Sequence, residues 1–313
     1  MRDTEMSDDL ATRVVDSLKR SSGGGDDHRA AHAKGFCLEG TFRATPAARN
    51  LTRAKQFSGE PIPVSVRFSN GSGSLAAPDY HVDGRGMAVK FRLPDGTASD
   101  IVSLTQKTFF VRTPEEFLEF VSAREPDPAT GRPDPARIGD FLSAHPEGQA
   151  AIGEVLFSEP PAGYTRCEYH GLHAFKWTGE DGSERYVRYH WLPEDGVATL
   201  SREEAKERGR DYLRAELAGR LERGPAAFTL ELQVAGEGDD SADPTQEWPA
   251  DRERVTAGRL ELTRIAADQE EGCERLVFDP LRLTDGIEGS ADQILNFRPR
   301  AYDVSIRRRL KLG

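Results

Sequence analysis

Cysteine is scarce in this chain. Cys37, Cys167 and Cys273 are the only ones among 313 residues, and no two form a CxxC pair. An odd, scattered set argues against a disulfide framework and for a reducing compartment. Long apolar runs are missing as well. No stretch approaches the roughly 20 residues needed to span a bilayer, so no membrane partner is expected. Positive charge is in the minority, with 42 Lys and Arg against 53 Asp and Glu and a net charge of −11. Such a chain repels phosphate backbones, which excludes general nucleic-acid binding. The opening Met1-Arg2-Asp3-Thr4-Glu5 is acidic and leads into no apolar run, unlike a secretory signal. These absences predict a soluble, cytoplasmic protein.

Motifs of common chemistry are absent too. Asp83-Gly84-Arg85-Gly86 has too few glycines for a phosphate loop, and no helical pattern follows it. No HExxH run occurs. His170 and His173 are three apart and could share a metal, but no third ligand lies near them in sequence.

With 37% hydrophobic residues, the chain can build one large core. Residues 7–20 place Leu10, Val14, Val15 and Leu18 at helical spacing, with an acidic start and a basic end that suit the helix dipole. A Ser/Gly linker follows, so residues 1–27 read as a helical arm, packed on the core or on a partner. Residues 28–313 read as the main domain. Within it, alternating β-branched and aromatic residues predict strands near 38–45, 62–69, 84–93, 101–112, 171–178, 184–193, 226–234 and 257–265. Helical patterns interrupt at 114–123, 134–143, 146–156 and 201–222. Segment 124–136 reads as a surface loop, and the polar 236–246 as a flexible one. The fold class is α+β, an antiparallel barrel of about eight strands with surrounding helices.

Several side chains could carry chemistry. Arg298 and Tyr302 are four apart, which puts both on one face of a helix. A guanidinium beside a phenol favours the phenolate, a form suited to ferric iron; an Arg stacked on an ordinary Tyr explains the spacing equally. His32, in Arg29-Ala-Ala-His32-Ala-Lys-Gly, has small neighbours that leave room for a flat ligand, though a capping or core histidine fits as well. In Val66-Arg67-Phe68-Ser69, alternation puts Arg67 and Ser69 on one face, where the Ser could orient a histidine. A strand ending in a Ser-Asn-Gly turn is the plainer account.

Taken in order, these segments resemble the catalase family from about residue 28 to 310. The matching pieces are Arg29-x-x-His32, Val66-Arg67-Phe68-Ser69, Arg85-Gly-Met-Ala-Val-Lys-Phe91, Phe109-Phe110-Val111-Arg112, His173-Ala-Phe-Lys176, Trp248-Pro249, Phe278-Asp-Pro280 and Arg298-x-x-x-Tyr302. The resemblance implies a haem protein with Tyr302 as the axial iron ligand and Arg298 as its phenolate partner. His32 would be the acid/base above the iron, with Ser69 behind it. Arg29, Arg67 and Arg309 match propionate-pairing positions. Phe109 and Phe117 match distal aromatics, and His173 with Asp292 matches a His–Asp pair behind Arg298. Haem b is expected, because no CxxCH attachment motif occurs.

The departures also carry information. Where the family has Asp-Leu-Val-Gly-Asn-Asn, this chain has Asp100-Ile101-Val102-Ser103-Leu104-Thr105, so Leu104 or Thr105 replaces the distal Asn. Thr105 is therefore placed with His32 and Ser69 in the catalytic set. The chain also runs only eleven residues past Tyr302. Both features resemble the minimal, catalase-related peroxidase branch. The expected activity is reduction of hydrogen peroxide or organic peroxides with a small organic reductant and little disproportionation. A homodimer is expected. Competing readings are an enzyme that converts fatty-acid hydroperoxides, a barrel that merely carries haem or a lipid, and a structural protein on the same scaffold.

Overall fold

The computed structural model describes residues 2–23, 25 and 27–312, with side chains from Asp9 onward; Gly24 and Asp26 of the expected linker lie outside the described residues. In chain order the elements are α1 (Arg2–Ser22), β1 (Gly35–Ala44), α2 (Pro46–Leu51), β2 (Ile62–Asn70), β3 (Arg85–Arg92), β4 (Ala98–Leu104), α3 (Pro114–Ala123), α4 (Pro135–Ala144), α5 (Gln149–Leu156), β5 (Tyr169–His170), β6 (Phe175–Thr178), β7 (Glu184–Pro193), α6 (Arg202–Glu207), α7 (Tyr212–Glu222), β8 (Ala226–Val234), β9 (Arg254–Ile265), α8 (Gly272–Arg275), β10 (Ile287–Gly289) and α9 (Gln293–Arg309).

Eight strands close a ring in the order β7-β5-β4-β3-β2-β1-β9-β8, with β8 returning to β7; β6 and β10 extend the sheet beyond β7. Each pairing is antiparallel, as in the β2–β3 ladder from Val64↔Phe91 to Asn70↔Arg85. Alternation along the strands sorts the side chains. Val64, Val66 and Phe68 of β2 belong to the barrel core, while Arg67 and Ser69 fall on the outer face. The interior is rich in aromatic rings. Phe42 meets Phe57, Phe91 and Trp191 edge-on at 5.7, 5.1 and 6.1 Å. Each such pair is worth about 1 kcal/mol beyond the area it buries. Closure needs one tight approach: a Cβ on Gly40 would lie 2.1 Å from the Glu261 carbonyl, at a register shift between β1 and β9.

Helices α1, α3 and α9 pack on one another beside the barrel, while α2 and α7 lie against β9. α1 packs on its own chain, where Ala11 and Val14 join Phe297 of α9 in a small core. Arg20 holds Glu125 through two nitrogens at 2.9 Å each, and Arg308 of α9 pairs with Asp16. The N-terminal arm is thus seated on the core that the sequence offered as one of its two destinations. Among the described residues, no helix is long and apolar enough to cross a membrane.

Four expectations need correction. The strand expected over 101–112 ends at Leu104, because Phe109 N–H leaves the sheet and donates to the Pro244 carbonyl at 2.8 Å. The helix expected over 201–222 is two helices. Asp79 enters the gap, accepting from Leu213 N–H at 2.9 Å and donating its own N–H to the Arg210 carbonyl at 2.8 Å. Segment 236–246 is fastened rather than loose: Asp243 accepts from Arg112 Nε at 3.0 Å, and Trp248 Nε1 donates to the Asp240 carbonyl at 3.0 Å. Finally, Cys37 and Cys273 form a disulfide, with Cα atoms 5.6 Å apart across a sequence separation of 236, while Cys167 is free and buried. An odd count does not exclude one pair, and long-range folding onto β1 brings these two together.

Candidate active site

The outer face of β2–β4, the helices α1, α3 and α9, and the stretch before β1 enclose a cavity of about 370 Å³. Its walls include His32, Ser69, Leu104, Phe109, Phe117, His173, Arg298 and Tyr302, contributed by distant segments of the chain.

On one wall, His32 adopts a left-handed backbone conformation, φ 55°, held by its N–H donating to the Gly71 carbonyl at 3.0 Å. A non-glycine residue there costs of order 1 kcal/mol or more, which the surrounding structure must offset. Its Nδ1 lies 3.0 Å from Ser69 Oγ. Gly86 makes this packing possible, since a Cβ there would lie 2.8 Å from Ser69 Oγ and 2.9 Å from His32 Nδ1. Burial first, and then the charges of Arg67, Arg298 and Arg29, push the His32 imidazole down to about 3. Near neutral pH it is therefore a neutral base with Nδ1 engaged by Ser69.

The other wall is a relay that starts at a helix cap. Asp292 Oδ1 accepts from the N–H groups of Ile294 and Leu295 at 2.8 and 3.1 Å, capping α9. Its Oδ2 lies 2.6 Å from His173 Nδ1. Arg298 Nη1 donates to His173 Nε2 at 2.9 Å, and Arg298 Nε and Nη2 donate to the Tyr302 phenol oxygen at 3.0 and 2.5 Å. Asp292 and His173 are fully buried. Burial holds the His173 imidazole below its usual range, partly offset by Asp292. This fixes a neutral tautomer, with Nδ1–H toward Asp292 and Nε2 accepting from Arg298.

Three guanidiniums close one edge of the cavity. Arg67 donates to the carbonyls of His32 and Ala33 at 2.9 and 3.0 Å, Arg29 to those of Cys273 and Leu276 at 3.1 and 2.8 Å, and Arg309 to that of Leu276 at 3.3 Å. The Nε atoms of Arg67 and Arg309 are buried and have no partner among the described residues. Buried charged donors without acceptors are costly unless a ligand completes them. Paired carboxylates at the edge of a flat, apolar molecule would do so, which is what the propionates of haem present. The residues therefore fit the group that the sequence pointed to: an aromatic-lined cavity, a phenol on one wall, a histidine on the other and cations at the rim.

Eleven of the twelve expected site residues meet here: His32, Ser69, Arg29, Arg67, Phe109, Phe117, His173, Arg298, Tyr302 and Arg309 line the cavity, and Asp292 stands behind His173. Thr105 does not. It is turned back to the sheet edge, where its hydroxyl accepts from Arg85 N–H at 3.0 Å. Thr105 lies just past the end of β4, and its N–H also donates to the Arg85 carbonyl at 2.9 Å, so both its main chain and its hydroxyl are tied to Arg85 rather than turned to the cavity. Leu104 is the residue facing the cavity. His170 and His173 do not meet on a metal, since His170 Nδ1 pairs with His190 Nδ1 at 2.8 Å. The sequence reading missed Gln106, Phe110 and Phe120 of the cavity wall, and Glu274, whose carboxylate accepts from Arg29. Glu274 sits in Glu270-Glu271-Gly272-Cys273-Glu274, a run that looks like solvated surface.

Known proteins share this fold and much of this sequence. A family profile described as Catalase matches residues 17–313. The catalase-related peroxidase of Mycolicibacterium paratuberculosis is 39% identical over 298 residues, covering 95% of this chain and 94% of its own length. That of Synechococcus elongatus is 34% identical, covering 96% of this chain and 88% of its own. Among solved structures, a fungal catalase superposes with a TM-score of 0.82 at 28% identity, over 90% of this chain but 60% of the fungal one. Catalase A from Saccharomyces cerevisiae gives 0.81 at 28% identity, with 90% and 61% covered. By fold, by the side chains that converge on the cavity and by this match, the chain belongs to the catalase family.

Proposed function

We propose that the protein is a haem-dependent peroxidase that reduces hydrogen peroxide or small organic hydroperoxides at the expense of a small organic donor and releases little oxygen. One observation carries this reading: the unbroken chain Asp292–His173–Arg298–Tyr302 lies on one wall of the cavity that has the His32–Ser69 pair on another. Tyr302 would hold the iron, Arg29, Arg67 and Arg309 the propionates, and the group is best read as haem b. Bound there, it would supply the oxidising chemistry by which peroxide is cleaved and a donor loses electrons.

The remaining work falls to side chains. His32 is neutral at working pH, and its Nε2 can take a proton from the near oxygen of a peroxide and return it to the far oxygen, so that water leaves. Ser69 holds Nδ1 and so fixes where Nε2 points. Arg298 sets two charged donors on the Tyr302 oxygen, and His173 and Asp292 hold Arg298 in place. Leu104, with no hydrogen-bonding group, faces the cavity where the family's distal Asn is expected, which removes one means of holding a second peroxide. Disproportionation should suffer more than donor oxidation.

A second reading, conversion of fatty-acid hydroperoxides, is favoured by the apolar wall of Phe109, Phe110, Phe117 and Phe120. The Cys37–Cys273 pair removes cysteine usage as support for a reducing, cytoplasmic setting, and the expected homodimer remains part of the proposal. The test is an absorption spectrum of the purified protein beside Tyr302→Phe, followed by hydrogen peroxide or a fatty-acid hydroperoxide, with and without a phenolic donor. A Soret band altered in the variant, with donor oxidation outpacing oxygen release, supports the peroxidase. Turnover of the lipid substrate without a donor favours the second reading. Haem-supplemented protein that binds no haem overturns both.

A further inference from the structure

Charge at the cavity edge does not balance within the chain. Arg29 and Arg309 both disfavour the charge of Arg67, and Arg29 that of Arg309: burial and then Arg29 lower Arg67 to about 9, and burial and then Arg29 lower Arg309 to about 10. Among the described residues, one carboxylate stands against these three cations. Glu274 accepts from Arg29 Nη1, and its other oxygen lies 3.7 Å from Arg67 Nη2. Five terminal nitrogens are thus committed to Glu274 and to main-chain carbonyls, while the Nε groups of Arg67 and Arg309 are buried without acceptors among the described residues.

Glu274 needs support, because α8 is a four-residue helix in an irregular stretch between β9 and β10. The adjoining Cys273 supplies it through the disulfide to Cys37. Cys37 is the cross-strand neighbour of Arg67 in the β1–β2 ladder, so the crosslink stands beside the guanidinium that Glu274 faces. Gln269 reinforces the join, accepting from Cys37 N–H at 2.9 Å and donating to the Cys37 carbonyl at 2.7 Å. One face of the clamp is therefore barrel, and the other is the loop that carries the counter-charge.

We propose that Glu274, clamped by the Cys37–Cys273 crosslink, is a positioning residue that holds Arg29 and Arg67 ready for the two remaining carboxylates of a bound porphyrin. The inference rests on the haem reading. It assigns Glu274 a complementary role: three guanidiniums meet one protein carboxylate and two from the ligand. Loss of Glu274 leaves one cation unbalanced in a buried cluster and leaves Arg29 held only by the carbonyls of Cys273 and Leu276.

The test uses the haem-loaded protein, its Glu274→Gln and Glu274→Asp variants, and the double variant Cys37→Ser/Cys273→Ser. Haem release is timed by transfer to excess apomyoglobin, and the Soret spectrum and melting temperature are recorded beside it. Glu274→Gln should release haem about tenfold faster with an unchanged Soret position. Glu274→Asp should recover most of the loss, and the cysteine variant should release faster than wild type by a smaller factor. Release from Glu274→Gln at the wild-type rate overturns the proposal, and slower release shows that Glu274 competes with the propionates instead. Equal leakiness of Glu274→Asp and Glu274→Gln with matching losses of melting temperature reduces Glu274 to a structural role and overturns it too. A cysteine variant that retains haem like wild type overturns the clamp. If the wild type holds no haem, the haem reading itself has failed.

Discussion

Arg298 spends its guanidinium on two residues at once: Nη1 meets His173 Nε2 at 2.9 Å, while Nε and Nη2 reach the Tyr302 oxygen at 3.0 and 2.5 Å. A buried carboxylate at the head of α9 is thereby linked to a phenol three turns along the same helix. Replacing Tyr302 by Phe should abolish the wild-type Soret spectrum. Replacing Arg298 by Gln should keep haem bound but slow the reaction with peroxide about 10- to 100-fold. Stopped-flow mixing reads this, and an Arg298→Gln protein as fast as wild type removes Arg298 from the mechanism.

Asp292 has two tasks that substitution can separate. Asn retains capping ability, whereas Ala removes the acceptor for Ile294 and Leu295 N–H. Asp292→Ala is expected to cost about 1 kcal/mol more than Asp292→Asn in urea unfolding. Both should disturb the peroxide reaction alike, because both remove the charge facing His173. Equal stabilities would show that the cap contributes nothing measurable.

The His32–Ser69 contact depends on the bare backbone of Gly86. In Gly86→Ala, the new methyl displaces the imidazole, and a misplacement of this kind costs on the order of 100-fold in rate. Haem content should stay near wild type, since no propionate or iron-holding residue is touched. A variant with normal kinetics would mean that the histidine tolerates displacement.

Leu104 and Thr105 differ in parity, and the difference is measurable. Leu104→Asn puts an amide on the cavity wall and should raise oxygen release relative to donor oxidation several-fold, within the roughly tenfold range typical of one added hydrogen bond. Thr105→Asn faces the Arg85 main chain and should leave the ratio unchanged. The reverse result would refute the assignment of the cavity face on β4.

Three buried imidazoles should make the protein acid-sensitive. Burial is the first cause for each, holding His32 and His190 down at about 3 and His170 at about 4. The unfolded chain binds these protons near the usual histidine value of about 6.5, so unfolding takes up protons between there and about 3 to 4. Their stabilising contribution is present above about pH 6.5 and is lost as pH falls through that window. Urea unfolding of the haem-free protein at pH 7, 5.5 and 4.5 should show falling stability, with a slope about one proton smaller in His190→Gln. A flat profile would contradict the burial of these rings.

Much of this architecture was readable residue by residue. Strand alternation marked most of the barrel, since a half-buried surface imposes a period of two whatever its partners. The amphipathic stripe of Leu10, Val14, Val15 and Leu18 marked α1, but its docking against Phe297 depends on a helix nearly 300 residues away. Arg298 and Tyr302 were legible because a helix fixes their spacing. Thr105 was misplaced because the end of β4, not composition, decides which side chain turns inward. The join of Cys37 to Cys273 and the role of Glu274 had no local signal, as their partners lie more than 200 residues away.

By itself, then, the sequence determined the class of fold, the pool of side chains and, through ordered motifs, the family. The first two follow from short-range rules, namely periodicity, capping and spacing within one helix or strand, and the family from the resemblance those ordered motifs carry. Only the tertiary structure decided which groups share a cavity, which face of β4 looks into it, which two of three cysteines join and which lone carboxylate answers three arginines. Those outcomes depend on barrel closure, and closure is a balance of packing and buried charge that no single segment contains.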